Sequence, residues 1–174
     1  MHKKPIKFVE GKIKNFASFS TYFSFSMSHE NGDGLAFVMV PSSFNVDVFG
    51  NSSFGISFRL EKSKNDIVAV EFGTFKEAKY GDLNENHVGI DVDSLASFKM
   101  RNLSFVNLVL NNGEKVHSWI NYEASSKRLK ISIKLWNDEE VFVGLSSSNG
   151  NNSRTFFIHL WSFKLRRVPN WMHS

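Results

Sequence analysis

Glu71, Asp82 and His87 fall in one short segment, Glu71-Phe-Gly-Thr-Phe75-Lys-Glu77-Ala-Lys-Tyr-Gly-Asp82-Leu-Asn-Glu-Asn-His87-Val-Gly-Ile-Asp91, directly after the apolar run Ile67-Val-Ala-Val70. Two carboxylates and an imidazole supply the mixed oxygen and nitrogen donors that suit Mn²⁺ or a similar ion, with Ca²⁺ beside it. A second feature with chemistry is the turn Gly32-Asp33-Gly34. A sugar offers hydroxyls as donors and acceptors together with apolar C–H faces. Its site therefore needs a carboxylate acceptor, backbone N–H donors and an aromatic plate. Asp33 supplies the first of these. An aspartate between glycines is equally a turn former, so residue type alone leaves both readings open.

The elements that must position these groups read as strands. In Phe19-Ser-Thr-Tyr-Phe23-Ser-Phe25-Ser-Met27 the odd positions are mostly large and apolar and the even ones mostly serine. That period of two predicts one buried face. Leu129-Lys-Ile131-Ser-Ile133-Lys-Leu135 and the set Ile56, Phe58, Leu60 alternate in the same way. Thr155–Leu165 would place Phe157, His159, Trp161, Phe163 and Leu165 on one side. Leu35–Val40 and Val141–Val143 are unbroken apolar runs, as expected of strands covered on both faces. Turn clusters separate the runs at residues 29–34, 111–113 and 146–153. Only short stretches such as Val92–Ser97 could be helical. The pattern predicts an all-β protein, an antiparallel β-sandwich or jelly roll, in a single domain over residues 1–174.

Composition narrows the function classes. The chain has 174 residues, with 18 Phe, 4 Trp, 3 Tyr and only 3 Pro, which describes a packed core rather than a disordered chain. It has no cysteine, which excludes disulfides and thiolate metal sites. The formal net charge of +4 is carried by the lysine-rich residues 1–14, and the rest of the chain balances. The basicity is therefore that of a solvated terminal segment and not of a nucleic-acid face. No apolar window is long enough to span a bilayer, and Met1–Glu10 lacks the apolar stretch of a signal peptide.

Five motifs, taken in order, resemble the legume lectin family. Asn31-Gly-Asp33-Gly-Leu-Ala-Phe-Val-Met-Val-Pro41 is similar to its sugar-loop strand. Val70-Glu71-Phe with Asn86-His87-Val-Gly-Ile-Asp91-Val-Asp-Ser94 is similar to its metal loop. Trp119-Ile-Asn-Tyr122-Glu-Ala-Ser-Ser-Lys-Arg-Leu129 and Val143-Gly-Leu-Ser-Ser-Ser-Asn-Gly150 are similar to its later strands, and Leu160-Trp161-Ser-Phe163 to its closing strand. The resemblance spans residues 15–163, leaving the basic segment 1–14 and a tail at 164–174. It implies a concanavalin A-like sandwich in a plant protein. It also implies that the strands preceding Phe16–Ser28 in the family are lacking here. With them go the edge strand used in homodimer contacts and the usual secretion signal. The family is secreted, and this sequence leaves the compartment open.

The resemblance also assigns roles. Glu71 and His87 would ligate Mn²⁺, Asp82 would bridge it to Ca²⁺, and the carbonyl of Phe75 would complete the calcium shell. Gly73 stands where the family has a second bridging aspartate, and Glu77 where it has an asparagine serving both calcium and sugar. The expectation is that both ions bind weakly or not at all. For the sugar, the resemblance implies Asp33 as acceptor, the N–H of Ser52 as donor, Phe75 as stacking ring and Glu77 in place of the amide. Asn149–Arg154 corresponds to the loop that selects the sugar. The peptide before Asp33 is cis in the family and is held by the metal site, so a damaged site would let Gly32–Asp33 relax to trans. Sequons begin at Asn51, Asn102 and Asn151.

The expected function is non-enzymatic carbohydrate binding, weak or degenerate, with glycans or glycoproteins as partners. The alternative is a lectin-fold module for protein interaction or defence signalling that binds neither sugar nor metal. A glycoside hydrolase on the same sandwich would need two acids across a scissile bond. Glu71 and Glu77 are the candidates, and Gly73 between them supplies no helper acid.

Overall fold

The structure is a computed structural model that describes residues 4–10, 15–30, 32–43, 67–94, 96–126, 140–148 and 154–166. The strands within them, in chain order, are β1 (Ile6–Lys7), β2 (Val9–Glu10), β3 (Asn15–Phe16), β4 (Ser18–Met27), β5 (Gly34–Pro41), β6 (Val68–Gly73), β7 (His87–Val92), β8 (Lys99–Asn102), β9 (Val116–Tyr122), β10 (Glu140–Ser148) and β11 (Phe156–Arg166). Every pairing is antiparallel. One sheet runs β1-β10-β5-β6-β7-β8 and a second runs β11-β4-β9, with β2 and β3 forming a small hairpin.

Alternation in β4 sets the layering. Phe19, Phe23, Phe25 and Met27 point at the six-stranded sheet and are buried with Leu35, Phe37, Met39 and Phe72. Their rings interlock: Phe23 meets Phe72 edge-on at 5.7 Å and stacks on Phe37 at 6.5 Å, geometries that the ring quadrupole favours. Ser20, Ser24 and Ser26 face away, as predicted, although Ser24 and Ser26 are still covered. β5 is buried along its whole length because Ala36, Val38 and Val40 form a second apolar cluster with Ile67 and Ala69. That cluster lies on the opposite face of the six-stranded sheet, so the unbroken run does mark a strand covered on both sides.

Three expectations are corrected. First, β11 does not keep Phe157 and His159 with Trp161, Phe163 and Leu165. Its register against β4 shifts between Ile158 and Leu160, and this β-bulge reverses the side-chain parity. Phe156, Trp161, Phe163 and Leu165 pack on the core, while Phe157 is exposed and His159 bonds Ser26 Oγ at 3.0 Å. Second, the described residues of Val92–Ser97 are not helical. Val92 ends β7, Asp93 takes a left-handed conformation with φ 53°, and its carboxylate accepts from the Ile67 N–H at 3.0 Å. Short 3-10 turns occur instead at Ala78–Tyr80 and Leu103–Val106. Third, the basic terminus is not a solvated segment throughout. Ile6–Lys7 pairs with β10, and Phe8 is buried, its ring 5.8 Å edge-on from Phe19. The alternating sets Ile56/Phe58/Leu60 and Leu129–Leu135 lie outside the described residues.

Phe8 yields a test of the core. A Phe→Ala truncation at a fully buried site costs about 3–5 kcal/mol. Phe8→Ala is expected to lower unfolding stability by that amount in urea titration. A loss below about 1 kcal/mol, the size of an ordinary surface change, would show that the segment is not part of the core.

Candidate functional site

The register of β5, β6 and β7 builds the site. Gly34 pairs with Gly73 and Gly73 with His87, and Ala36 pairs with Glu71 and Glu71 with Gly89. Because side chains alternate, Glu71, Gly73, His87, Gly89 and Asp91 share the face that carries Ala36 and Val38, away from the main core. Two glycines clear space on this face. A Cβ at Gly89 would lie 2.3 Å from Glu71 Oε1 and 2.1 Å from Ser97 Oγ, and one at Gly73 would lie 2.3 Å from His87 Nε2. The Glu71 carboxylate thus lies over Gly89 and the His87 imidazole over Gly73.

Glu71 and His87 are both buried, and Glu71 Oε1 lies 3.2 Å from His87 Nε2. The His87 Nδ1–H donates to the carbonyl of Asn84 at 2.6 Å, which fixes the ring and turns Nε2 toward the acids. Burial alone would lower the pKa of His87. The Glu71 hydrogen bond, the Asn84 carbonyl and the charges of Glu71 and Asp82 outweigh it and hold it above the ordinary value. Ser97 Oγ lies 2.7 Å from both Glu71 Oε1 and Asp91 Oδ1. Ser97 Oγ is the shared donor between them, and burial first, then the charge of Glu71, push Asp91 up to about 8.

The turn Ala78–Tyr80, ended by Gly81 at φ +85°, brings Asp82 back to this cluster. Ligand atoms of Glu71, Asp82 and His87 all lie within 4.8 Å of one another. Two carboxylate oxygens and an imidazole whose tautomer is held from behind fit one divalent ion of the Mn²⁺ kind. A second, calcium-like ion needs more oxygen ligands, and Gly73 brings no carboxylate to that set. Gly73 has no side chain and its Cβ space is filled by His87. The Glu77 carboxylate is paired with Lys79 at 3.1 Å, and Asp82 Oδ2 is already an acceptor for the Glu77 N–H at 2.8 Å.

Asp33 precedes β5 and sits beside the end of β6: the Thr74 N–H donates to the Asp33 carbonyl at 2.9 Å, and Thr74 Oγ1 donates to the Gly32 carbonyl at 2.9 Å. Phe75 follows and is 50% exposed, so it is not one of the core phenylalanines. No cis peptide bond occurs among the described residues, Gly32–Asp33 included. Ser52, Asn51, Asn151 and most of the loop Asn149–Arg154 lie outside those residues. Arg154 is described and is buried. Its Nε donates to the Glu30 carbonyl and its Nη1 to the Gly32 carbonyl and to Thr74 Oγ1. Asn102 Oδ1 accepts from the Ser104 N–H at 2.8 Å and caps the turn Leu103–Val106.

Sequence reasoning thus named the residues that the structure joins as Glu71–Asp82–His87 and, on the neighbouring turn, Asp33. It gave no role to Asp91 or Ser97, and placed Arg154 only as the end of the sugar-selecting loop. Asp91 alternates in phase with His87, which was a usable clue. Nothing local marks Arg154 as buried.

Residues 1–138 match the family model of the legume lectin domain. The chain is 32% identical over 186 residues to L-type lectin-domain containing receptor kinase VIII.2 of Arabidopsis thaliana. That alignment covers 94% of this chain and 26% of the kinase, so the chain spans about a quarter of the length of such relatives. Among solved structures, lectin II from Ulex europaeus is similar with a TM-score of 0.78 and 28% identity, over 94% of this chain and 79% of that one. Lectin UEA-II complexed with galactose gives a TM-score of 0.77 and 29% identity, over 94% and 78%.

The site generates a paired expectation. Gly73→Asp must displace a buried imidazole, and overpacking costs about 1–3 kcal/mol. The variant should therefore unfold earlier than the wild type in EDTA. Titration calorimetry of the wild type with Mn²⁺ and Ca²⁺ should show one ion at most. Two ions bound with micromolar or better affinity would show that Glu77 replaces the missing aspartate.

Proposed function

The chain belongs to the legume lectin domain family, and from this membership we propose that it is a carbohydrate-binding domain centred on Asp33, with a metal site reduced to one weak ion. The observation that carries the reading is the union of Asp33 and Phe75 through Thr74. The Thr74 N–H holds the Asp33 backbone, and the next residue presents an exposed ring. A half-buried aspartate and an exposed aromatic ring on neighbouring segments are the types a pyranose needs, an acceptor for hydroxyls and a plate for its C–H face. Ser52 would add an N–H donor. Glu77, half-buried and tied to Lys79, can only accept when ionised. Binding is accordingly weaker than with an amide at that position.

An ion of the Mn²⁺ kind would be held by Glu71, Asp82 and His87 and would neutralise their crowded charge. Glycans or glycoproteins are the partners, and an extracellular setting accords with the receptor-kinase relatives. The family and its solved neighbours are lectins and not enzymes. Glu71, the acid a hydrolase would use, is buried against His87 and Ser97 and cannot meet a substrate. The interaction-module reading has support of its own in the large exposed apolar side chains Phe98 and the adjacent pair Phe105 and Val106, exposed by 73%, 87% and 69%, since apolar exposure of this kind marks contact surfaces.

A broad glycan array separates the two. A charge-assisted hydrogen bond is worth about 1.5–3 kcal/mol, so Asp33→Ala is expected to weaken any hit at least tenfold. A folded wild-type protein with no hit across the array rejects carbohydrate binding and leaves the interaction module.

A further inference from the structure

Arg154 carries a buried charge just before β11. It sits two residues before β11, and its guanidinium reaches three oxygens from two other segments: the carbonyls of Glu30 and Gly32, and Thr74 Oγ1. Thr74 Oγ1 passes its own proton on to the Gly32 carbonyl at 2.9 Å, so guanidinium, hydroxyl and carbonyl close into a ring of bonds around Gly32. The fit is tight. A Cβ on Gly32 would lie 3.0 Å from Arg154 Cβ and 3.2 Å from its Cδ, so a side chain at position 32 would push the arginine away. Burial disfavours the guanidinium's charge, and the carboxylates of Asp33 and Glu30 act in the opposite direction. A buried charge is stable only with such partners, and a planar fork of fixed donors meets several acceptors at once with little further loss of freedom.

We propose that Arg154 is a positioning residue whose guanidinium acts as a built-in cation, clamping the Gly32–Asp33 turn to Thr74 and so orienting the Asp33 carboxylate without a divalent ion. The inference rests on the carbohydrate reading for the use of Asp33, while the clamp itself is independent of it. It also accounts for the mismatch between the residues present and a second ion. Gly73 leaves no carboxylate next to Thr74, and the positive charge that organises this turn comes from the chain.

Hydrogen exchange read by mass spectrometry tests the clamp. In the wild type, the amides of residues 32–36 should exchange equally slowly in EDTA and in Ca²⁺ with Mn²⁺. Arg154→Ala should speed them at least tenfold and leave those of β7 unchanged. Arg154→Lys should fall between the two, because an ammonium cannot span the same acceptors, and guanidinium chloride at millimolar, non-denaturing levels should restore protection to Arg154→Ala. If Arg154→Ala does not fold, Thr74→Val removes one arm of the clamp and should speed the same amides, with Thr74→Ser restoring them. Glycan-array hits of the wild type should survive EDTA. Unchanged exchange in Arg154→Ala, or in Thr74→Val should that variant stand in, overturns the proposal. So does a tenfold acceleration of the wild-type turn in EDTA, or hits lost in EDTA. A wild type that binds no glycan rejects the carbohydrate reading alone, and the exchange measurements still decide the clamp.

Discussion

Everything at the site depends on burying a carboxylate, Glu71, on the second face of a sheet whose first face is the core. An ionised acid in that position is costly unless hydrogen bonds and counter-charge meet it. The molecule supplies these through strand register. Pairing Glu71 with Gly89, and Gly73 with His87, opens two spaces without side chains. The carboxylate occupies one and the imidazole the other. Ser97 comes in from beyond β7 to complete the shell. A slip of one residue in β6 would send Glu71 into the phenylalanine core and Phe72 out.

The core explains why that register holds. Phe72 on β6 meets both Phe23 and Phe25 of β4 edge-on, so the sheet positioned by apolar packing on one side is the sheet that presents polar groups on the other. The bulge in β11 does a related job. By reversing parity after Ile158 it keeps Trp161, Phe163 and Leu165 on the core. The Trp161 indole N–H can then donate to Thr21 Oγ1 at 3.0 Å. Positive charge at the site takes two forms. His87 is held toward its protonated form by the acids around it, and Arg154 is charged under all ordinary conditions and linked to backbone carbonyls. The first answers to a metal ion or a proton. The second answers to neither, which suits a support for a turn that must keep one shape.

The sequence by itself determined the fold class and one half of the site. Period-two runs such as Phe19–Met27, and the doubly covered Leu35–Val40, are local signals of burial, and burial is what makes a sandwich. The spacing of Glu71, Asp82 and His87 announced a metal-type donor set because those groups are linked by a short turn. Only the tertiary structure decided the rest. The bulge at β11 is not legible in the residue pattern, since Phe156–Trp161 is apolar at nearly every position and the reversal arises from pairing with β4. Phe8 lies in a stretch of lysines, and its burial comes from Ile6–Lys7 joining β10, far along the chain. The space over Gly73 is taken by His87 because two strands lie side by side. Arg154 is buried because Glu30, Gly32 and Thr74, from two distant segments, converge on it. Short-range pattern reports which face of an element is apolar, whereas which charges meet across elements is set by register and packing, and these exist only once the sheets have formed.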